Sequence, residues 1–493
     1  MSHSEMPSGS SPPHDRERGS ALITTIALTG ILALLVLVSL SLARSSTSQT
    51  ANEARADIAT QAADAGVNRY ISRLVEDPRY YDHWVDMAED PRVAPNGAVY
   101  PPGSAWTPGV TWTYQAGPPK TWTPLQDARY GTASYSLRIA PPVSNSDLVT
   151  VQSTAQAGRG RAMPLTRSIQ SQIRPSSIAD FQMVSNATIR YGSTATTTGK
   201  LYSAQGIIHQ GVAKAPAYAQ RYVCSNGNAS CSSSSRPGAV YQAGAYDSTT
   251  RPAFRDKFPT PIDFNQFTQT RLDIKDAAKT SLTYFNNSGA NAWEVQFLAD
   301  GRVRIWRVTN TSDPGLQVGT LECWQTINVP ANGAMYFEQP VIVSDGSTKR
   351  DTCNPSSVGP RVSTVKGNVT IATSSNVYVG GNIAYASTGD NVLGLIAADE
   401  VIIAKYTPRD LVWRAASLAQ SGKWRTYQDQ NDNAHDSMLY IGSQTTADGG
   451  YASMFDEREY RYDDTLQRLR PKFYPILEGS WETFYWREVL PPS

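Results

Sequence analysis

"RERGSALITTIALTGILALLVLVSLSLAR" covers Arg16–Arg44 and carries no charge between Arg18 and Arg44. That is roughly 25 apolar and small residues, against the ~20 that a helix needs to cross the hydrocarbon core of a bilayer. A secretory signal has a shorter apolar core, about 7–15 residues, followed by a small-residue cleavage site. Here the run passes into more helix instead. "SSTSQTANEARADIATQAADAGVNRYISRLVED" keeps apolar or small residues at Ala51, Ala54, Ile58, Ala62, Ala65, Ile71 and Leu74, mostly at helical spacing, and Asp77-Pro78 supplies a stop. The reading is one helix over 20–77, membrane-spanning over 20–43 and amphipathic above it. Arg16 and Arg18 precede the span, so the positive-inside rule puts residues 1–19 in the cytoplasm and the body outside.

The remainder of the 493 residues has the composition of a folded, strand-rich body. Charged residues make up 18%, and Lys plus Arg (44) nearly balance Asp plus Glu (43), so no global field selects nucleic acid or an acidic substrate. "TASYSLRI" (Thr132–Ile139), "DLVTVQSTAQAG" and "LTRSIQSQI" alternate apolar and polar positions and read as three antiparallel strands, within a small β domain over 78–175.

Val362–Ile403 is the clearest periodic stretch. Val369–Ile371, Val377–Val379, Ile383–Tyr385 and Val401–Ile403 are three-residue strand patterns between Gly/Asn/Ser turns, and Gly367-Asn368 and Gly381-Asn382 recur. Such spacing predicts the stacked coils of a β-solenoid. A β-sandwich competes, although its strands run to ~5–6 residues. Ala179–Gly211 has the same texture. The expected fold is α+β, mainly β: the long helix, the small antiparallel sheet, and a solenoid-like body over 176–410 with an insertion around 251–335. That insertion holds a helix at Asp263–Ala278 and a hairpin turning at Ala299-Asp300-Gly301. Residues 411–493 are expected to cap the end of the solenoid.

The residues "RERGSALITTIAL" and "IATQAADAGVNRYISRL" together resemble the N-terminus of type IV pilin-like proteins, specifically the PilX-type minor pilins. Ala62-Ala63-Asp64-Ala65-Gly66 occupies that family's small-residue element, and "GKLYSAQGII" and "VLGLIAADEVII" are similar to its C-terminal rungs. The resemblance implies that a prepilin peptidase cuts after Gly19 and leaves Ser20 as the mature, methylated N-terminus. The other implied partners are further pilin-like subunits, an inner-membrane assembly platform and membrane lipid. The implied location is the cytoplasmic membrane in a single pass, then the cell surface or pilus. Major pilins carry a glutamate at the fifth mature position; here that position is Thr24, which suits a special subunit, such as one at a tip, better than a repeated one.

Signs of chemistry are sparse. The sequence has no G-x-S-x-G, G-x-x-x-x-G-K-[ST] or G-x-G-x-x-G, and His3, His14, His83, His209 and His435 have no metal-type spacing. No cofactor is expected. Cys224, Cys231, Cys323 and Cys353 lack zinc spacing; in an exported chain Cys224–Cys231 and Cys323–Cys353 are the simplest disulfides, the alternative being buried free thiols. Asp456, Glu457, Glu459, Asp463 and Asp464 are interleaved with arginines and read as a salt-bridged surface, and His209 reads as a packing residue. Trp106, Trp112, Trp122 and Tyr114 could bind sugars or bases, but burial against the helix is favoured. The expected function is a non-enzymatic pilin-like subunit in pilus assembly, priming or tip adhesion. Its alternatives are a type II secretion pseudopilin and a membrane-anchored solenoid enzyme acting on polysaccharide, which would need acids clustered on one face.

Overall fold

The computed structural model describes residues 17–78, 80–82, 90–93, 98–100, 113–126, 132–142, 147–158, 164–192, 195–209, 211–220, 240–242, 254–255, 261–345, 362–387, 390–427, 435–452 and 454–492. It is mostly strand, with one long helix, α1, over Glu17–Glu76. The chain then builds two packed bodies from a few local rules.

The first body is a five-stranded antiparallel sheet laid on the upper half of α1. Its order is Ile476–Val489, Leu165–Ser177, Val149–Ala157, Ser134–Ala140, Thr123–Pro124. The three strands legible in the sequence lie in its middle, and their apolar alternates (Leu137, Ile139, Val149, Val151, Ile169, Ile173) pack against Ala62, Ala63, Val67, Tyr70 and Leu74 of α1. On the opposite face, Asp90 is buried and fastens the irregular segment before it. Its Oδ2 accepts from Arg138 Nε and Nη2 at 2.9 and 2.7 Å, and its Oδ1 from Lys120 N at 2.6 Å.

The second body is a stack of parallel strands. In its largest sheet the ranks run Phe254–Arg255, Ala217–Ala219, Lys200–Ser203, Phe181–Ser185, His435–Thr446, Asp410–Ala419, Val392–Ala397, Asn368–Thr373, Ala334–Phe337, Tyr284–Phe285. All the pairings along this path are parallel. A second sheet repeats the order behind it through Val341–Val343, Val377–Val379, Val401–Ile403, Trp424–Thr426 and Gly450–Tyr451. The expected solenoid is met in part: strands stack in parallel register, but the sheets are separate and do not close. The four short strands read from the sequence are present as Asn368–Thr373, Val377–Val379, Ile383–Tyr385 and Val401–Ile403. Side chains in the turns stitch neighbouring ranks, as where Asn391 Oδ1 accepts from Gly367 N at 2.7 Å and Asn376 Oδ1 from Glu400 N at 2.9 Å. The recurrent Gly-Asn pairs do not mark this repeat, because Thr370 pairs with Gly394 and Val377 with Val401.

The stack is not wound in chain order. From Phe181 the chain climbs to Phe254–Arg255, crosses to Tyr284 at the far end, and winds back until Gln444–Thr446 pairs with Met183–Ser185. A helix, α2 (Phe267–Thr280), makes much of that crossing, its 14 residues covering about 21 Å at 1.5 Å each. Its Phe267, Ile274 and Ala278 lie on Tyr336, Ala372, Ile396 and Leu418 of successive ranks. The stretch expected to be an insertion therefore supplies the crossing and the end ranks, with the Asp-Gly hairpin (Ala292–Phe297 against Arg302–Thr309) extending the second sheet.

The region expected to cap the stack, 411–493, divides instead. Asp410–Ala419, Trp424–Thr426, His435–Thr446 and Gly450–Tyr451 are ranks within it, and Ile476–Val489 leaves to pair with Leu165–Ser177. A strand edge needs a partner, and the nearest open one belonged to the first sheet.

The two bodies meet at a buried polar knot. Arg174 Nη2 donates to Asp180 Oδ1 at 2.5 Å, Ser177 N to Asp180 Oδ2 at 2.7 Å, Ser177 Oγ to Pro475 O at 2.6 Å, and Tyr462 Oη to Ala179 O at 3.0 Å. Replacing Arg174 by Met leaves a carboxylate buried without its cation. The expected cost is about 3–5 kcal/mol, read as a lower denaturant midpoint in chemical unfolding.

Candidate functional site

Helix α1 is the feature that the fold is arranged to present. Among the described residues its lower half, from Leu22 to Leu42, is exposed throughout: Leu22 and Leu42 are each 64% exposed. Among the described residues it is the one helix long and apolar enough to cross a membrane, by length and composition. Its hydroxyls are suited to that setting because they bond back along the helix. Thr25 Oγ1 donates to Leu22 O at 2.9 Å, Thr29 to Thr25 O at 2.7 Å, Ser39 to Leu35 O at 2.7 Å and Ser41 to Val38 O at 2.8 Å. These groups can leave water without losing a hydrogen-bond partner.

The upper half is held tightly. The buried stripe is Ala59, Ala62, Ala63, Gly66, Val67, Tyr70 and Leu74. Of the positions read as the apolar face, Ala62 and Leu74 belong to it, while Ala51 and Ala54 are exposed and Ala65 and Ile71 lie at its margin. The stripe is turned because it follows the sheet, which begins to cover α1 only near Ile58. Gly66 sets the closeness of approach: a Cβ there would lie 2.6 Å from Ser153 Oγ and 2.8 Å from Tyr135 Cδ2. Asp64, two residues earlier, accepts from Trp486 Nε1 at 2.8 Å, which ties the returning C-terminal strand to the helix.

Gly19 and Ser20 lie within the described N-terminal part of α1. Thr24 lies within the apolar half, one turn further on.

The other sequence candidates are scattered. Cys323 is on the outer edge strand Thr320–Asn328, opposite Trp306. Cys224, Cys231 and Cys353 lie outside the described residues, as do Trp106 and Trp112. Tyr114 and Trp122 are half-buried; Tyr114 packs on the guanidinium of Arg138 and donates to Ile139 O at 3.0 Å, away from α1.

The acidic group does not converge. Asp463 is buried and receives both Nε and Nη2 of Arg414 at 2.7 and 2.6 Å, Glu459 pairs with Arg461 at 2.6 Å, and Asp456 and Glu457 face solvent. Asp390 pairs with Arg468 and Glu400 with Arg425, each at 2.7 Å. Among the described residues no three His, Cys, Asp or Glu side chains gather as metal ligands would. His209 is buried with Nε2 3.1 Å from Thr197 Oγ1 and its ring against Tyr191. It packs as the sequence suggested, and burial pushes its pKa down to about 4.

No protein-family model matches the chain, and no curated protein matches it. Among solved structures, the competence-associated pilin ComZ from Thermus thermophilus is 13% identical, over 88% of this chain and 97% of its own, with a TM-score of 0.26. A domain of an ice-binding protein from Shewanella frigidimarina is 9% identical, over 58% of this chain and 97% of its own, with a TM-score of 0.20. Neither superposes closely enough to support an argument about this chain. Its reading rests on its own geometry.

Two outcomes follow from these contacts. Gly66→Val forces α1 off the sheet, and overpacking of this kind costs about 1–3 kcal/mol; faster amide exchange over Ala59–Leu74, with the stack unaffected, would show it. Histidine in the unfolded chain takes up a proton near 6.5, whereas His209 in the fold resists protonation until about 4. Between those values the unfolded state holds more protons, so stability falls as the pH drops through that window. The loss reaches about 3 kcal/mol, and acid unfolding of His209→Gln should lack it.

Proposed function

We propose that this chain is a non-enzymatic pilin-like subunit, inserted in the cytoplasmic membrane by the lower half of α1 and carrying its β body outside. The observation that supports this most is the division of one continuous helix. About half is bare and apolar along its whole circumference, and half is clamped to a sheet through a small-residue stripe with Gly66 at its centre. A plain anchor needs only to span; a helix held this rigidly to a folded head can leave lipid and pack, still apolar, among the helices of other subunits.

In this reading a prepilin peptidase cuts after Gly19, Ser20 becomes the N-terminus, and the subunit primes or joins a type IV pilus-like filament. Assembly involves other pilin-like subunits and an inner-membrane platform. The absence of a carboxylate at Thr24 favours a terminal place, where no subunit above presents an ammonium to be neutralised. The parallel stack is then an interrupted β-solenoid displayed at the cell surface for contact or adhesion, and Cys323–Cys353 and Cys224–Cys231 are its disulfides.

Mass spectrometry of the N-terminus, from cells with and without prepilin peptidase, tests this directly. The expected result is Ser20 as the first residue in the first sample and an uncut leader in the second. An uncut leader in both, or a cut well beyond Ser45, overturns the reading.

A further inference from the structure

The last rank of the largest sheet, Tyr284–Phe285, pairs with Ala334–Phe337 and, among the described residues, with no strand on its outer side. An open strand edge on a displayed surface invites pairing with other chains, so such edges are generally covered or blunted. The chain leaves this rank through an exposed turn, Asn286-Asn287-Ser288-Gly289, after which Ala290 N donates back to Asn287 O at 2.6 Å. The turn is held from the neighbouring hairpin: Arg307 Nη1 donates to Ser288 O at 2.9 Å, and Trp293 Nε1 to Asn286 O at 3.2 Å.

Asn286-Asn287-Ser288 has the Asn-x-Ser/Thr form in which an asparagine amide accepts a glycan in exported proteins. Short patterns of this kind arise by chance, and the chain also has them at Asn186, Asn228, Asn310 and Asn368. The structure separates them. Asn228 lies outside the described residues. Asn368 is tied at both ends of its amide, Nδ2 donating to Arg470 O at 2.9 Å and Oδ1 accepting from Lys472 N at 2.8 Å. Asn310 spends its Nδ2 on Thr320 Oγ1 at 3.2 Å. Asn186 is exposed, but Thr188 is half-buried and no hydrogen bond joins its hydroxyl to the amide. At Asn286 the side chain is exposed, Nδ2 has no partner among the described residues, and the Ser288 hydroxyl donates to Oδ1.

That last bond bears on reactivity. An amide nitrogen is a poor nucleophile because its lone pair is delocalised onto oxygen. Loss of a proton from Nδ2 places negative charge on Oδ1, where a hydroxyl already in position stabilises it through a charge-assisted hydrogen bond.

We propose that Asn286 is a glycosylation site that takes its sugar from a lipid-linked donor, an oligosaccharide on a polyprenyl diphosphate. The bond formed joins Nδ2 to C1 of the first sugar. The bond broken is that between C1 and the diphosphate oxygen, which leaves with the electron pair, and the Nδ2 proton passes to a carboxylate of the transferase. A glycan on this turn covers the open edge of Tyr284–Phe285 and closes that end of the stack to other strands. The proposal shares with the pilin reading only the export of the β body.

The test is peptide mass spectrometry, with electron-transfer fragmentation, on the full chain purified from the cells that naturally make it. Trypsin releases Thr280–Arg302, which contains the site. This peptide should carry a sugar on Asn286. Asn286→Gln and Ser288→Ala should both lose it, whereas Ser288→Thr and Asn287→Gln should keep it, all four with unchanged melting temperature because the side chains are exposed. A bare peptide, a sugar on Ser288 or Asn287 instead, or a glycan that survives in Ser288→Ala would each overturn the proposal. A bare peptide on a chain that begins at Ser20 overturns this proposal alone; a glycan on Asn286 in a chain with an uncut leader supports it and overturns the pilin reading alone.

Discussion

The pairing of Met183–Ser185 with Gln444–Thr446 is the constraint on which the rest of the stack depends. It joins residues some 260 apart in the chain, and closing a loop of that length costs about 5 kcal/mol in chain entropy. Its few hydrogen bonds contribute about 0.5–1.5 kcal/mol each and do not comfortably cover that cost. Burial on both sides must supply the rest. On one side Trp413, Trp424 and Tyr440 pack ring against ring with the ranks that follow; on the other Ile178, Phe181, Val184 and Tyr202 pack under α2. The pairing and the crossing helix are thus one device: α2 carries the chain to the far end so that winding back brings Gln444–Thr446 onto Met183–Ser185.

The same pairing explains two features that look unrelated. Because the chain must leave after Tyr451, the second sheet is left open and a wedge lined by arginines and aromatic rings forms there. Because it leaves toward the first body, its last strand is free to join the sheet on α1, where Trp486 reaches Asp64. The knot of Arg174, Ser177 and Asp180 stands where the chain passes from one body to the other, and Pro475 O draws the returning segment into it. The first sheet is therefore complete only when nearly the whole chain has folded.

Much of this was legible locally. The uncharged run after Arg18 requires an apolar surrounding whatever follows it, and the alternation in Ser134–Ala140, Val149–Ala157 and Leu165–Ser177 fixes which face of each strand is buried. Asp300-Gly301 set a hairpin turn, with Gly301 at φ +91°, because few other residues adopt that backbone without strain. The acidic run near Asp456 read as salt-bridged surface, and this was met in part: Glu459 pairs with Arg461 as its neighbours suggested, whereas Asp463 is buried against the distant Arg414. What misled was order. The stretch 251–335 read as an insertion because it lies between two segments of like strand texture, and 411–493 read as a cap because a solenoid's last coil needs its strand edge covered.

The sequence by itself determined the elements: a long apolar helix continued by a small-residue stripe, and short β-branched strands between Asn and Gly turns. These follow from interactions within a few residues, where spacing and side-chain shape decide the outcome. Only the tertiary structure decided the winding, the rank at which the last turn meets the first, the return of Ile476–Val489 to the opening sheet, and the wedge between Tyr191 and Tyr451. Each of those depends on contacts between residues hundreds of positions apart, and short strands of similar texture carry no local mark of which neighbour they will choose.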